Sequence, residues 1–558
     1  MHSAKCRLSV TDVTVAATAP ASPARAIGTA SAVWAGSIFL SRAMGLLREQ
    51  VIGRTLGATR EADLYFASFT LPDFLNYLLA AGALSIVFIP IFLTHLQRGE
   101  EKRGWEAFSV IANFILLASC GGIALLMVFA KPLAGWVAPG FTSPHEIETL
   151  VRLTRIILPA QLFHVVGGLL SAVLQAQDRH VLPALAPLVY SAAIIAGGLG
   201  GTYFADVGAD GFAWGVLVGS VLGPFALPLY GCMRTRMRWH LMLSFRNQDL
   251  GRYLWLSVPI MIGFSIVAVD EWIIKNQASY LREGVLSYLQ YGRTLMKVPI
   301  GVFGMAAGVA AYPTISRLVS AGSMAEAYGL LCRAVRLMLV ATFAAQVCLT
   351  LAGFEASYLI WGLFANRFTV ADAQSTAVIL AYLCLGLGGW AAQSVISRGF
   401  YALESTWLPT LVGTAIAFAM VPVYVALRQQ WGAIGLAMSS AIAILTYVLV
   451  LGYLQRRRFE REAAARNASL DGVPGMLSSA LRLALAATVA TALGLGARIV
   501  LLHFLPGTDL MIVLLRAAVL CALGITIYLE LARRFGVSDL DAMKRLLLRR
   551  LALQRRPS

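Results

Sequence analysis

Residues 41–92 read SRAMGLLREQVIGRTLGATREADLYFASFTLPDFLNYLLAAGALSIVFIPIF. The stretch is two apolar runs divided by the polar turn GATREAD. With its flanks, each run reaches the roughly 20 residues that a helix needs to cross a bilayer. Arg42, Arg48, Asp63 and Asp73 sit inside or against these runs. Charge is costly in lipid, so a charged side chain within a span faces protein or a wet cavity and counts as a functional candidate.

The pattern continues outward from this stretch. Apolar runs occupy about residues 29–53, 63–95, 107–131, 150–175, 183–204, 211–232, 253–280, 286–317, 328–353, 372–399, 409–427, 433–454, 479–502 and 509–531, which makes about fourteen expected spans. Helices are the choice, because lipid-facing backbone must satisfy its own N–H and C=O groups. Of the 558 residues, 58% are apolar and 13% charged, with a mean hydropathy of +0.74. A soluble domain carries about 25% charge. A soluble enzyme, a nucleic-acid-binding domain and a disordered chain are therefore not expected; the fold class is an all-α polytopic membrane protein.

The formal charge of +17 comes from 45 basic and 28 acidic residues. In a membrane protein its first explanation is topology, since cytoplasmic loops collect Lys and Arg. Arg98, Lys102 and Arg103, then Arg179, then Arg234 to Arg246, then Arg317, then Arg456 to Arg461 fall in alternate loops. The basic tail joins them on one side if the number of spans is even. The opposite loops, YFADVGAD, YLREGVLS and HFLPGTD, are short or balanced by acids. Both termini are thus expected in the cytoplasm. The expected organisation is a flexible cytoplasmic tail (1–27), an N-lobe with spans 1–6 (28–240), a C-lobe with spans 7–12 (241–455), a cytoplasmic loop (456–478), spans 13 and 14 (479–531) and a basic cytoplasmic tail (532–558). That last tail is amphipathic and either lies on the inner membrane surface or is an ordinary solvated helix.

A weak internal repeat supports the two lobes. LQAQDRHVLPAL and FYALESTWLPTL place Pro183 and Pro409 226 residues apart, and GADGFA and GAIGLA place Gly208 and Gly432 224 apart. Pro72 and Pro299 differ by 227, Pro90 and Pro313 by 223. An offset of about six spans keeps both halves in the same orientation. Two parallel repeats, with two extra helices, describe a transporter that binds substrate between its halves and opens alternately to each side.

The buried charges fall in spans 1, 2, 7 and 8, the first two of each repeat. Span 7 carries Asp270, Glu271 and Lys275, and span 8 carries Arg293 and Lys297. Glu271 and Lys275 stand at i, i+4, a spacing that allows neutralisation along one helix. Arg293 and Lys297 share a face with no acid between them. They point either to an anionic partner, which an arginine fork suits, or to pairing with Asp270 or Glu271 across the hairpin. Pro72, Gly82, Pro90, Pro299 and Pro313 are candidate hinges; the alternative for such small or kinking residues is close helix packing.

These residues carry a specific resemblance. The stretch 41–92, VAPGF at 137–141 and SYLQYGRTLMKVPIGVFGMAAGVAAYPTISR at 287–317 resemble the signature of the MurJ/MviN lipid II flippase family, over most of spans 1–12. That family belongs to the multidrug/oligosaccharidyl-lipid/polysaccharide exporter superfamily. The resemblance implies two six-helix lobes plus two C-terminal helices. It implies movement of an undecaprenyl-diphosphate-linked saccharide, lipid II or a related glycan, from the inner to the outer leaflet of the bacterial inner membrane. Arg42 and Arg48 would engage or organise the diphosphate, and Asp63 would tie a gate or balance those arginines. The chain departs from the family at Asp73, where the family has Asn, at Asn76 and Glu271, where it has Arg, and at Ala81, where it has Glu. Arg293 and Lys297 would compensate for the two missing arginines. A flippase for an exopolysaccharide-type lipid-linked oligosaccharide, and a cation-coupled multidrug antiporter with Asp270 and Glu271 as cation sites, are the alternatives.

No Walker motif and no metal-ligand spacing is present, and the seven cysteines are scattered. No cofactor is expected, and the chain reads as a transporter and not an enzyme. An ion gradient (Na+ or H+), the membrane potential or lipid consumption on the far side would drive it. Membrane lipids and the lipid-linked saccharide are the expected partners, and a monomer is expected. His164, near Gln161, reads as a packed core histidine.

Overall fold

The computed structural model describes residues 23–80, 87–205, 207–235, 237–262, 266–363, 365, 367–405, 407–470, 472–473 and 475–537. Gly82, Ala81 and most of both expected tails lie outside these residues. The described elements are helices: α1 (Pro23–Leu56), α2 (Arg60–Ser68), α3 (Thr70–Ala80), α4 (Ile89–Gln97), α5 (Glu101–Val128), α6 (Ala130–Val137), α7 (Pro144–Ile157), α8 (Ala160–Ala176), α9 (Val181–Gly200), α10 (Gly208–Ser220) and α11 (Leu227–Arg234). The second half follows with α12 (Gln248–Ile262), α13 (Ile266–Ala278), α14 (Val285–Pro299), α15 (Ala306–Ser320), α16 (Met324–Leu351), α17 (Gly353–Ser357), α18 (Val370–Cys384), α19 (Leu387–Ala402), α20 (Trp407–Ala419) and α21 (Val421–Ala464). A hairpin of α22 (Met476–Phe504) and α23 (Leu510–Arg534) ends the described chain.

Among the described residues nine helices are long and apolar enough to cross a membrane, or ten if the bent pair α18 and α19 is one span. The expected spans 63–95 and 253–280 contain residues outside the described set. The expected boundary near residue 430 falls inside α21, which bends at Gly432 (φ 56°, ψ −126°), a conformation that costs glycine little. Surface and interior are inverted relative to a water-soluble protein. Trp136, Trp255, Ile499 and Met511 are each more than 70% exposed, whereas Asp63, Asp270, Glu355, Arg293 and Arg516 are buried. Lipid is the solvent that suits such a surface.

The repeat is written in the backbone as well. Left-handed residues occur in pairs: Gly57 with Gly284, Gly99 with Gly322, Asp178 with Glu404, and Gly208 with Gly432. Every such residue described between 23 and 455 belongs to one of these pairs, and the separations run from 223 to 227. The loops around the non-glycine pair match bond for bond. Asp178 N–H donates to Gln175 O and Arg179 N–H to Leu174 O, at 3.1 and 2.8 Å; Glu404 N–H donates to Tyr401 O and Ser405 N–H to Phe400 O, at 3.1 and 2.9 Å. Such a repeat places α1–α4 and α12–α15 as counterparts. In the packed molecule α14 lies against α1 and α2, while the α22–α23 hairpin covers α16.

Candidate functional site

A cavity of about 220 Å³ opens where the leading helices of the two halves face each other. α1 contributes Arg48, Glu49 and Ile52, α2 gives Tyr65 and Phe66, and α3 gives Asp73. Tyr190 and Ile194 come from α9, Glu271 and Lys275 from α13, and Gln290 and Lys297 from α14. Five of the residues expected from the sequence meet here: Arg48, Asp73, Glu271, Lys275 and Lys297. Glu49, Tyr65, Tyr190 and Gln290 were missed. Glu49 had a signal, an acid directly after Arg48 inside an apolar run. Gln290 had one too, since it stands seven residues before Lys297 on the same face of α14.

The cavity holds three cations and three carboxylates, and they pair. Arg48 Nη2 donates to Glu49 Oε1 at 2.7 Å. Lys297 Nζ reaches Glu271 Oε1 at 2.6 Å, and Lys275 Nζ reaches Asp73 Oδ2 at 3.7 Å. The expected neutralisation of Glu271 by Lys275 along α13 is corrected here. Each takes a partner from a different helix, because the side chains that converge on the cavity come from facing helices.

Arg293 turns away from this space. Its guanidinium is buried and paired with Asp270, with Glu271 Oε1 at 3.5 Å and with Ser440 Oγ at 3.2 Å. Asp270 also accepts from Tyr424 Oη, and from Ser440 Oγ at 3.1 Å. Of the two readings of the Arg293 and Lys297 face, the geometry shows pairing across the hairpin. Asn76 donates to Gln161 Oε1 at 2.8 Å, and the expected core histidine His164 meets Ser220 Oγ at 2.9 Å.

Arg42 is different. It lies six residues toward the N-terminus of α1, exposed, with Met305 Sδ 3.4 Å from Nη2. Its guanidinium rests against Gly301, where a Cβ would overlap it. Within the group Arg42, Arg48, Arg293, Lys275, Lys297, Glu49, Asp73, Asp270 and Glu271, Arg42 has no carboxylate within ion-pair distance among the described residues. The uncompensated charge in this region is therefore on α1, beside the π-type turn Ile300–Met305 that follows Pro299. Such turns are common at functional sites. Pro90 opens α4, Pro313 lies inside α15 and Pro72 inside α3.

Around α2 a polar seam joins the two halves. The Asp63 carboxylate is buried and accepts from Gly284 N–H and Ser287 N–H, both at 2.8 Å, and from Ser287 Oγ at 2.7 Å. Arg42 and Arg48 are not among its partners; Arg60 is, at 3.9 Å. Around it, Arg60 N–H donates to Glu283 Oε1 at 2.8 Å, Tyr291 Oη to Gly57 O at 2.6 Å, Trp361 Nε1 to Glu49 O at 3.0 Å, and Arg367 pairs with Glu61 at 3.2 Å. The two left-handed glycines are needed for this closeness. A Cβ at Gly284 would overlap Ala58 O, and one at Gly57 would overlap Arg367 O. His95 Nε2 lies 3.1 Å from Asp249 and Nδ1 lies 3.3 Å from Glu100. Outside the spans, that His95 contact holds the Glu100 carboxyl below its usual range.

Among the described residues no cluster of His, Cys, Asp and Glu suits a metal ion. The described cysteines are free thiols.

The profile of the family described as "Lipid II flippase MurJ" matches residues 52–517. A protein of Rhizobium tropici named "Probable lipid II flippase MurJ" is 27% identical over 428 residues, covering 73% of this chain and 77% of its own. The "Lipid II flippase MurJ" of Burkholderia cenocepacia is 29% identical over 391 residues, covering 68% and 74%. Among solved structures, "Lipid II flippase MurJ, inward closed conformation" superposes with a TM-score of 0.71 at 20% identity, covering 90% of this chain and 98% of that one. An inward-facing multidrug transporter of the MATE family reaches 0.63 at 14% identity, covering 75% and 95%.

Proposed function

The chain belongs to the MurJ lipid II flippase family, and on that premise we propose that it carries an undecaprenyl-diphosphate-linked saccharide from the inner to the outer leaflet of a bacterial inner membrane by alternating access. It acts as a transporter without a cofactor, and both termini face the cytoplasm, as the basic loops require. The repeats 28–240 and 241–455 act as two lobes, and the Asp63 seam is the outer gate in its closed state. The observation that carries the reading is the charge-lined cavity between the first two spans of each repeat, with Arg42, six residues along α1 from Arg48, a cation with no carboxylate partner among the described residues.

The balance of charge within the cavity favours a lipid-linked glycan other than lipid II. Asp73, Asn76 and Glu271 replace Asn and two arginines of the resembled pattern, and the remaining cations are paired. At about 1.5–3 kcal/mol for each hydrogen bond to a charged group, two lost arginines weaken a diphosphate site substantially unless the saccharide adds contacts. Complementation of a strain depleted of its lipid II flippase tests the substrate. Growth without added glycan assigns lipid II; failure with normal membrane expression leaves another polyprenyl-diphosphate saccharide. The antiporter reading has less support, because the internal guanidinium of Arg293 already neutralises Asp270.

A further inference from the structure

A second cavity, outside the space between the two repeats, lies under the α22–α23 hairpin. It measures about 480 Å³ and is bounded by α16, α17 and α18 on one side and by α22, α23 and their loop on the other. Its rim is apolar and half-exposed: Val370, Val378, Leu495 and Leu502 are each about 38–47% exposed. Its floor is ionic. Glu355, fully buried, receives Arg516 Nε at 2.5 Å and Arg498 Nη1 at 3.1 Å. The remaining bonds of both guanidiniums go to backbone carbonyls, Leu351 O for Arg498 and Leu505 and Gly507 O for Arg516.

The triad holds two cations against one carboxylate, and among the described residues neither arginine has a second carboxylate within 4 Å. A surplus charge held among apolar helices is unfavourable unless a counter-charge meets it. Arg516 is enclosed, but Arg498 is 18% exposed, and among the described residues only its Nη1 has a partner. Its Nε and second terminal nitrogen are the donors available to the cavity. The site therefore asks for an anion at its floor and a chain of methylenes along its rim. It lies at the hairpin end near Gly507 and Thr508, remote from the basic loop 456–478; on the topology proposed above, that is the outer-leaflet half of the membrane.

We propose that this cavity binds one anionic phospholipid, its phosphate on Arg498 and its upper acyl chain along Val370, Val378, Leu495 and Leu502. The lipid completes the charge balance of the Glu355 triad and fixes the hairpin on α16.

The test uses the intact purified chain in nanodiscs of mixed phosphatidylglycerol and phosphatidylcholine, released and weighed by native mass spectrometry. The chain is expected to retain one phosphatidylglycerol at least tenfold in preference to phosphatidylcholine. Arg498→Gln removes the phosphate contact, and Val378→Trp fills the rim from an exposed position without touching the charge. Each is expected to abolish the preference while thermal unfolding stays cooperative. If Arg498→Gln fails to fold, Val378→Trp decides alone. Equal retention of both lipids overturns the proposal, as does wild-type preference in the variants. Displacement of the lipid by inorganic phosphate, or retention of undecaprenyl phosphate in its place, likewise overturns the phospholipid assignment. Retention is read without transport, so a failed flipping assay leaves this proposal standing, and the reverse holds.

Discussion

Arg42 and Arg48 stand six residues apart on α1 and have different surroundings. Arg48 lines the cavity and is bonded to Glu49, whereas Arg42 is exposed and lies against Met305 and the bare backbone at Gly301. Removing the Arg42 side chain strands no carboxylate among the described residues, whereas removing Arg48 takes the bonded partner from Glu49, whose second carboxylate oxygen is buried and unpaired among the described residues. Arg42→Ala is expected to abolish transport while thermal unfolding shifts little, and Arg48→Ala to abolish transport with a lower unfolding temperature that Glu49→Gln in the same chain partly restores. Full transport in both would show that the diphosphate is held elsewhere. Asp270 is the opposite case. Its loss leaves the buried Arg293 guanidinium with the longer Glu271 contact at 3.5 Å, shared with Lys297, as its carboxylate among the described residues, which costs up to about 3–5 kcal/mol. Asp270→Asn should lower the unfolding temperature sharply, and the double change with Arg293→Met should recover most of it. These two classes were not separable in the sequence. It placed the charges in spans 1, 2, 7 and 8, but which acid meets which cation depends on helix rotation and crossing. For that reason the local spacing of Glu271 and Lys275 misled: Asp73 and Lys297 on facing helices took the partners instead.

At the scale of elements, the short loops carry the conformational logic. The loop at 281–285 closes on α1 and α2 through Asp63, and the close approach rests on two glycines in left-handed conformation. Asp63→Ala removes three hydrogen bonds that join the two halves and leaves little else changed in either. Spin labels at Thr59 and Leu281, read by pulsed electron resonance, should report a longer and broader distance in this variant than in the wild type. An unchanged distance would mean that the aromatic contacts around Tyr291 and Trp361 alone hold the gate. Gly208 and Gly432 were legible as a repeat because they lie in matching six-residue motifs. Gly57 with Gly284, and Gly99 with Gly322, were not, since a chain with 50 glycines gives no reason to single them out until their φ angles are known. The hairpin of α22 and α23 was visible as two apolar runs, but the Glu355 triad beneath it joins residues more than 140 apart and had no local signature.

For the whole molecule, the formal charge of +17 says little about the site. Most of it lies in loops and tails. In the group Arg42, Arg48, Lys275, Arg293, Lys297, Glu49, Asp73, Asp270 and Glu271, five cations stand with four carboxylates, and among the described residues the surplus rests on Arg42. A cavity whose lining charges pair off suits a carrier that must release its cargo, since a deep cationic trap would hold a diphosphate too firmly to let it go. The gate proposed at the Asp63 seam is distinct from this cavity, and the π-type turn after Pro299 separates α14 from α15. The most direct measurement is translocation itself: the purified chain in proteoliposomes loaded with undecaprenyl-diphosphate saccharides on one face, with appearance on the other face read by a membrane-impermeant enzyme or lectin. The account predicts translocation by the wild type well above protein-free vesicles, its loss in Arg42→Ala, and its slowing in a variant whose outer gate is cross-linked across Thr59 and Leu281. Wild-type rates no faster than empty vesicles for every polyprenyl-diphosphate saccharide supplied, or undiminished rates with the gate locked, would contradict it.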